Sequence, residues 1–137
     1  MKKIIILDCG PSLEDVSQEF GQSPEWIISV LNNTDFEFEW IKSYAGQTLD
    51  NGSGDAWIIT GSPSSVYDEE YWMLELEENI RYAAYYNKLV LGICFGHQLI
   101  AKSFGGRVEV NPNGWELGSY SISLTSQGKI SPLFHNM

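Results

Sequence analysis

Short apolar runs alternate with amphipathic stretches along this chain, an order that is typical of β-α-β architectures. Four runs predict strands, at residues 4–7, 36–44, 56–60 and 89–93. The run at 4–7 is continuously apolar and leads into the loop sequence Asp-Cys-Gly-Pro at 8–11, as expected of a buried parallel strand. The pattern therefore predicts an α/β fold with an open, mainly parallel sheet and helices on both faces.

Helical spacing predicts the elements between these strands. Ser23-Pro24 indicates an N-cap followed by proline at the first helical position. The helix that follows is expected to end near Asn32-Asn33 and to bury four apolar side chains. These four are Trp26, Ile27, Val30 and Leu31. A later helix is predicted from Gln98 to Phe104, closed by Gly105-Gly106.

The longest helical candidate runs from Asp68 to Asn87. Its apolar residues recur at every fourth position, at Trp72, Leu76, Ile80 and Ala84, which predicts one buried face. Acidic residues gather toward its start, where they favour the helix dipole. They are Glu69, Glu70, Glu75, Glu77 and Glu78. A recruitment patch is one interpretation of this charge run, but a solvated helix face is the better one.

The C-terminal third follows a different pattern. Residues 108–110 and 120–124 alternate in polarity and flank Asn113-Gly114, a turn signal, so they predict a short antiparallel ribbon. No repeat, linker or low-complexity tract divides the chain. Its 137 residues fit a single domain, predicted over 1–137.

Composition excludes several classes of function. Eight Lys and Arg residues against 18 Asp and Glu give a formal net charge of −10, which disfavours direct contact with nucleic acid or anionic membranes. No apolar stretch approaches the ~20 residues of a membrane span, and the run at 4–7 is too short for a secretory signal. Two cysteines, Cys9 and Cys94, suit neither a disulfide framework nor a zinc site and predict reduced thiols in a cytoplasmic protein. Without a phosphate-binding glycine loop or metal-ligand cluster, no cofactor is expected.

The candidate chemistry lies in residues 89–99, LVLGICFGHQL. A buried strand runs into Cys94 and then directly into a helix, the arrangement of a nucleophile elbow with cysteine in place of serine. Gly92 and Gly96 remove side chains where strand and helix approach closely. The turn projects the sulfur at a helix N-terminus, whose free N–H groups stabilise a thiolate. Cys9 carries no such activating pattern and is interpreted as structural.

A cysteine nucleophile of this kind needs a positioned base. An ordinary thiol is only a few per cent ionised at neutral pH. A helix terminus contributes about 0.3–1 kcal/mol, less than the ~1.36 kcal/mol that moves a pKa by one unit. His97 lies three residues after Cys94 on the same helix start, so a packing or supporting role is preferred, and His135 lies in a polar tail that is expected at the surface. Neither histidine therefore supplies the base.

Three ordered blocks resemble the class I glutamine amidotransferases, and are most similar to their GMP-synthase-like subgroup. The nucleophile block is GICFGHQ at 92–98. The segment DAWIITGSP at 55–63, followed by SVYD at 65–68, resembles the oxyanion-strand loop of that subgroup. Gly105-Gly106 and NPNGWELG at 111–118 resemble the next block. The resemblance covers nearly the whole chain and implies a flavodoxin-like sheet fold.

The resemblance implies that Cys94 attacks the side-chain amide of glutamine, forms a glutamyl thioester and releases ammonia. The N–H of Phe95 and one from the Gly61-Ser62 turn would form the oxyanion hole, where losing one donor costs roughly 10²–10³ in rate. Ser62 stands where many relatives have glycine, a change that keeps the N–H. The substrate-binding positions implied by the match are Gln98, Glu116 and Gly118.

The chain departs from this family toward its C-terminus. The family takes its catalytic histidine and a nearby glutamate from a later His-Pro-Glu segment, which these 137 residues do not contain. Two interpretations remain open, a C-terminally truncated fragment of a longer reading frame and a shortened relative without a complete triad. Three functions stay as alternatives: a glutaminase that passes ammonia to a separate synthetase, a γ-glutamyl peptidase or hydrolase that uses the same cysteine, and a non-catalytic fragment that only binds.

Overall fold

Four parallel strands form the centre of the fold, in the order β2-β1-β3-β4. The computed structural model describes residues 1–31 and 35–135. The strands are β1 (Lys2–Asp8), β2 (Phe36–Lys42), β3 (Ala56–Ile59) and β4 (Leu89–Gly92). All three strand pairings are parallel, which confirms the α/β sheet predicted from the apolar runs. The sheet places the carboxyl ends of β1, β3 and β4 side by side.

Five helices accompany the sheet in the described residues. They are α1 (Glu14–Phe20), α2 (Ser23–Leu31), α3 (Tyr71–Tyr85), α4 (Phe95–Ser103) and α5 (Ser126–Ile130). Short 3-10 turns occupy Ser43–Ala45 and Pro132–Phe134. None of the residues of α1 is buried, and its seven residues contain only two apolar side chains, too few for a helical signal in the sequence. Within the described ranges, no helix has both the length and the hydropathy to cross a bilayer.

The two faces of the sheet are covered by different helices. Adjacent residues of a strand point to opposite faces, and Ile5, Leu7, Trp57 and Ile59 pack into one core cluster with residues of α3 and α4. The intervening buried side chains Ile4, Ile6 and Ile58 point to the other face, where α2 packs against β1 and β2. Helices on both faces are therefore confirmed.

The predicted inward face of α2 is partly wrong. Ile27 and Leu31 are half-buried, but Trp26 is 38% and Val30 80% exposed. Residues 26 and 30 are four apart and form a second stripe on the helix surface. That stripe points away from the sheet, so apolar character alone did not identify the packed face. The predicted helix end at Asn32-Asn33 lies outside the described residues.

The long helix α3 is shorter than predicted at its N-terminal end. It begins at Tyr71, so Glu69 and Glu70 precede it and its first turn carries no acidic residue. The predicted stripe is buried at Leu76 and Ile80, half-buried at Trp72 and exposed at Ala84. The buried face of α3 is completed by Met73, Glu77 and Ala83.

Glu77 is buried, although the sequence placed it on a solvated face. The Nζ atom of Lys102 on α4 lies 3.0 Å from Oε1 of Glu77 and 3.3 Å from Oε1 of Glu69. Burial on its own lowers the pKa of Lys102, but hydrogen bonds and charge from these two carboxylates raise it above its ordinary value. Arg81 lies 3.6 Å from Glu77 on the same helix. The ion pair between Lys102 and Glu77 therefore joins α4 to α3.

The antiparallel ribbon predicted at 108–110 and 120–124 is not formed. No strand follows β4 in the described part of the chain, and every residue from 109 to 123 is exposed. A two-stranded ribbon is marginal in water unless it covers an apolar surface. Val108 packs against the core cluster, but alternating polarity did not suffice here because residues 109–123 cover no apolar surface.

Candidate active site

Cys94 occupies a strained corner between β4 and α4. Its backbone angles are φ 52° and ψ −109°, and it is the residue directly before the first helical residue of α4. Holding a non-glycine residue at such backbone angles costs of order 1–3 kcal/mol, and residues strained in this way are typical of functional sites. Cys94 is exposed. The strand-to-helix corner predicted from residues 89–99 is therefore present, with its thiol accessible.

Two glycines make this corner possible. A Cβ atom on Gly92 would lie 2.5 Å from the carbonyl carbon of Gly96, and a Cβ atom on Gly96 would overlap the backbone of Ile59. The N–H of Gly96 donates to the carbonyl of Thr60 at 3.1 Å, and the N–H of Ile93 donates to the carbonyl of Ile59 at 2.9 Å. The corner is thus fixed tightly against the end of β3.

The turn after β3 lies beside Cys94. A Cβ atom built on Gly61 would be 3.6 Å from Cβ of Cys94, an ordinary van der Waals contact. In the described residues, the backbone N–H groups of Gly61, Ser62 and Phe95 donate to no protein acceptor. The Gly61 turn and the start of α4 thus adjoin Cys94, and both contain backbone N–H groups without an acceptor in the described part of the chain.

Side-chain hydroxyls hold this turn in place. The Ser62 hydroxyl donates to the carbonyl of Cys9 at 2.6 Å and accepts from the N–H of Ser64 at 3.0 Å. The hydroxyl of Thr60 accepts from the N–H of Cys9 at 3.0 Å and donates to the carbonyl of Gly61 at 2.8 Å. Thr60 was not among the candidates from sequence. The signal that could have identified it is its position, since it is a polar residue that directly follows a buried strand and directly precedes a Gly-Ser-Pro turn.

The two cysteines lie in opposite environments. Cys9 is fully buried, and burial raises the pKa of its thiol to about 12 against the opposing hydrogen bond from Thr60. Burial also raises the pKa of the neighbouring Asp8 carboxyl, although the N–H of Gly10 opposes this. The structural interpretation of Cys9 is confirmed. Only the exposed thiol of Cys94 is presented for chemistry.

The predicted substrate-binding residues are not all brought to this corner. Gln98 lies exposed on the first turn of α4, where its N–H donates to the carbonyl of Cys94 at 3.1 Å. Glu116 and Gly118 lie in the exposed segment that follows α4. Across residues 1–31 and 35–135, no hydrogen bond joins either of them to Cys94 or to the turn after β3.

Neither histidine acts as a partner of Cys94 in this structure. His97 is exposed on α4, which is contrary to the packing role predicted as one of its two possibilities, and His135 is exposed as expected. In the described portion, neither imidazole makes a hydrogen bond or an ion pair. The same residues contain no group of three His, Cys, Asp or Glu side chains placed to hold a metal ion.

The strain at Cys94 gives a prediction about stability. Replacing Cys94 by glycine relieves a backbone strain of order 1–3 kcal/mol in the folded state. It also makes the unfolded chain more flexible, which costs about 0.5–1 kcal/mol on folding. We therefore expect Cys94→Gly to be about 1 kcal/mol more stable than Cys94→Ala in urea denaturation. Ala101→Gly, within α4, is the control and is expected to lose about 1 kcal/mol. A loss in Cys94→Gly equal to that of Ala101→Gly would contradict a strained corner.

An open parallel sheet with a cysteine on a strained strand-to-helix corner defines an α/β protein of the nucleophile-elbow class. Within that class, the family model described as "Glutamine amidotransferase class-I" matches residues 7–136. The chain belongs to the class I glutamine amidotransferase family.

Three similar proteins illustrate the range of the family. Gamma-glutamyl peptidase 4 of Arabidopsis thaliana is 29% identical over 129 residues, which are 92% of this chain and 51% of that protein. GMP synthase [glutamine-hydrolyzing] of Dictyostelium discoideum is 33% identical over 141 residues, covering 98% of this chain and 18% of that protein. The crystal structure of a glutamine amidotransferase from Methylobacillus flagellatus matches with a TM-score of 0.59 at 24% identity, over 82% of this chain and 42% of that one. This last match shows the fold, and the chain spans about half the length of the first curated relatives.

Proposed function

We propose that Cys94 is the nucleophile of a glutamine amide hydrolase of the GMP-synthase-like kind. One observation carries the proposal: an exposed cysteine stands on a strained corner that adjoins the turn after β3, and the backbone N–H groups of that turn and of Phe95 have no acceptor in the described residues. A structural cysteine has no need of this arrangement. An oxyanion hole does, because its donors must be in place before charge develops on the substrate oxygen.

The proposed reaction is an acyl transfer to sulfur. The Cys94 thiolate forms a bond to the side-chain amide carbon of glutamine, and the carbonyl electrons move to an oxygen held by the N–H groups of Phe95 and of Gly61 or Ser62. Collapse of this intermediate breaks the C–N bond. The nitrogen takes up a proton and leaves as ammonia. Water then cleaves the thioester to give glutamate and free thiol, which balances the reaction.

Proton transfer in this scheme needs a group that we place outside the described residues. Neither His97 nor His135 contacts Cys94, and the curated relatives are about twice as long as this chain. We propose that the base is the histidine of the His-Pro-Glu segment implied by the family resemblance. Gln98, Glu116 and Gly118 are proposed to hold the glutamine, the last two after the exposed segment closes over Cys94. A separate synthetase is the proposed acceptor of the ammonia.

A γ-glutamyl peptidase is the second candidate. It would use the same thiol on the same acyl carbon, with an amino acid or peptide amine leaving in place of ammonia. The similarity to gamma-glutamyl peptidase 4 covers 51% of that protein, whereas the similarity to GMP synthase covers 18% of that one. Because the similarity extends over a larger part of the peptidase than of the GMP synthase, we keep the peptidase as the second candidate.

Covalent labelling of the 137-residue chain tests the proposal without requiring turnover. The chloromethyl ketone analogue of L-glutamine is expected to add once, at Cys94, with L-glutamine protecting and L-asparagine, one methylene shorter, not protecting. Mass spectrometry of the intact chain and its peptides measures the adduct. Cys94→Ser is expected to lose the adduct. Cys9→Ala is the matched control and is expected to keep it, because the buried Cys9 thiol, with its pKa raised to about 12, does not react near neutral pH.

The outcomes separate the candidates. Protection by L-glutamine at Cys94 supports the amide hydrolase. Protection by γ-glutamyl dipeptides but not by L-glutamine favours the peptidase. An adduct that neither compound prevents, or equal labelling of Cys94→Ser, contradicts both.

A further inference from the structure

A cavity of about 310 Å³ adjoins the turn after β3. It lies between the loop after β1, the helices α1 and α2, and residues 61–63 of the turn. In open α/β sheets, ligands bind outside the carboxyl ends of the strands, and this cavity is at that edge. Its lining residues belong neither to the predicted substrate-binding set nor to the core cluster, apart from the turn itself.

The cavity wall is apolar and uncharged. Its larger side chains are Pro11, Leu13, Val16, Trp26 and Pro63. The remaining lining residues are glycines and serines. Trp26, which the sequence pattern placed in the core, is 38% exposed because it forms part of this wall. The cavity therefore suits an uncharged, apolar group.

One buried side-chain oxygen of this wall lacks a hydrogen-bond partner in the described residues. The Ser12 hydroxyl oxygen is buried and makes no hydrogen bond among the described residues. The Ser62 hydroxyl, in contrast, is already used by the backbone of Cys9 and Ser64. A buried hydroxyl without a partner is costly, but this oxygen has almost no surface open to the cavity, so recognition of a ligand there relies on the apolar wall.

The cavity and the thiol share a wall. Gly61 lines the cavity, and a Cβ atom on it would touch Cβ of Cys94 at 3.6 Å. Ser62, whose N–H is a proposed oxyanion donor, lines the cavity too. A group attached to the acyl carbon at Cys94 and directed along this turn reaches the cavity. An apolar cavity of about 150 Å³ already holds a benzene ring, so this one has room for a ring and a short linker.

We propose that this cavity binds the amine-side substituent of N-substituted γ-glutamyl amides, and that the substituent is an uncharged aromatic or branched aliphatic group. The inference rests on the Cys94 chemistry of the proposed function and names a substrate class for its second candidate, the γ-glutamyl peptidase. Cys94 forms the same thioester, and the C–N bond breaks in the same way. A substituted amine takes up the proton and leaves in place of ammonia.

Protection of Cys94 against iodoacetamide tests this inference by comparing γ-L-glutamyl-benzylamide with L-glutamine. Because burial of an aromatic ring contributes roughly 1.5–3 kcal/mol, the benzylamide is expected to protect at a concentration roughly tenfold or more lower. Val16→Phe fills the cavity and is expected to remove this advantage while L-glutamine still protects. Val30→Phe places the same ring on an exposed position of α2 that does not line the cavity, and is expected to keep the advantage. Trp26→Ala, which truncates an exposed wall residue, is expected to reduce it severalfold.

Two different failures are distinguishable. If L-glutamine protects but the benzylamide protects no better, or if both Val16→Phe and Trp26→Ala keep the full advantage, the cavity is not the substituent site and the proposed function stands. If neither compound protects Cys94, the proposed function fails and this inference fails with it.

Discussion

Replacing Gly96 by alanine is expected to lower the free energy of unfolding by about 3 kcal/mol and to abolish glutamine-protected labelling of Cys94. A Cβ atom at this position would overlap the backbone carbonyl of Ile59 and approach its Cβ atom at 2.8 Å. Backbone atoms of a central strand cannot move aside as a flexible side chain can. The substitution must therefore push α4 away from β3 and open the corner at Cys94.

Gly52→Ala is the matched control for this prediction. A Cβ atom on Gly52 would meet only the Asp50 carboxylate, at 3.5 Å or more, so its stability is expected to change by no more than about 0.5 kcal/mol. Urea denaturation of the two variants measures the difference in their free energies of unfolding. The yield of the chloromethyl ketone adduct shows whether the corner at Cys94 is intact. Equal stability of Gly96→Ala and Gly52→Ala would contradict the close approach of Gly96 to the backbone of Ile59.

The corner at Cys94 could be predicted from sequence because its determinants are local. A short strand, a cysteine between two glycines and a helix follow one another within residues 89–99, although the strand is exposed at Leu89 and Leu91 rather than buried as predicted. Their order leaves one arrangement in which the strand and the helix can approach each other closely. The strands were predictable for the same reason, since each apolar run carries its own signal. Only their order in the sheet needed the structure.

The mistakes arose where the outcome depends on distant partners. Glu77 is tolerated in a buried position because Lys102 of α4 forms an ion pair with it. No sequence pattern within α3 predicts this contact. Trp26 and Val30 have the right spacing for a core face but lie on the side of α2 that no strand covers. The ribbon predicted at 108–110 and 120–124 alternates correctly, yet beyond Val108, which packs against the core, residues 109–123 are exposed. In each case the local pattern was present and its partner surface decided the result.

Thr60 shows the same limit at the site itself. Its hydroxyl connects the start of the loop after β1 to the turn after β3, across 51 residues of sequence. Each of these segments shows only an ordinary strand end when it is considered alone. The contact that fixes the oxyanion turn exists only once β1 and β3 are adjacent in the sheet, so it was missed.

The valine substitution at Thr60 is therefore expected to affect both stability and chemistry. Thr60→Val keeps the shape of the side chain but removes the acceptor of the Cys9 N–H and the donor to the Gly61 carbonyl. Because Cys9 is fully buried, an unpaired N–H there is expected to cost about 2 kcal/mol in urea denaturation. Thr60→Ser retains the hydroxyl and is expected to lose less than half as much.

Two reagents separate a positioning role of Thr60 from simple destabilisation. The chloromethyl ketone of glutamine carries a carbonyl oxygen that must enter the oxyanion hole, whereas iodoacetamide alkylates sulfur without one. Thr60→Val is expected to slow the ketone at Cys94 by roughly tenfold or more and to leave the iodoacetamide rate within about twofold, at a urea-free condition where the variant is folded. Thr60→Ser is expected to react with both reagents at close to the original rates. Equal slowing by both reagents would mean that Thr60 supports the fold alone, because a displaced turn affects only the reagent whose oxygen depends on the N–H groups of Gly61 and Ser62.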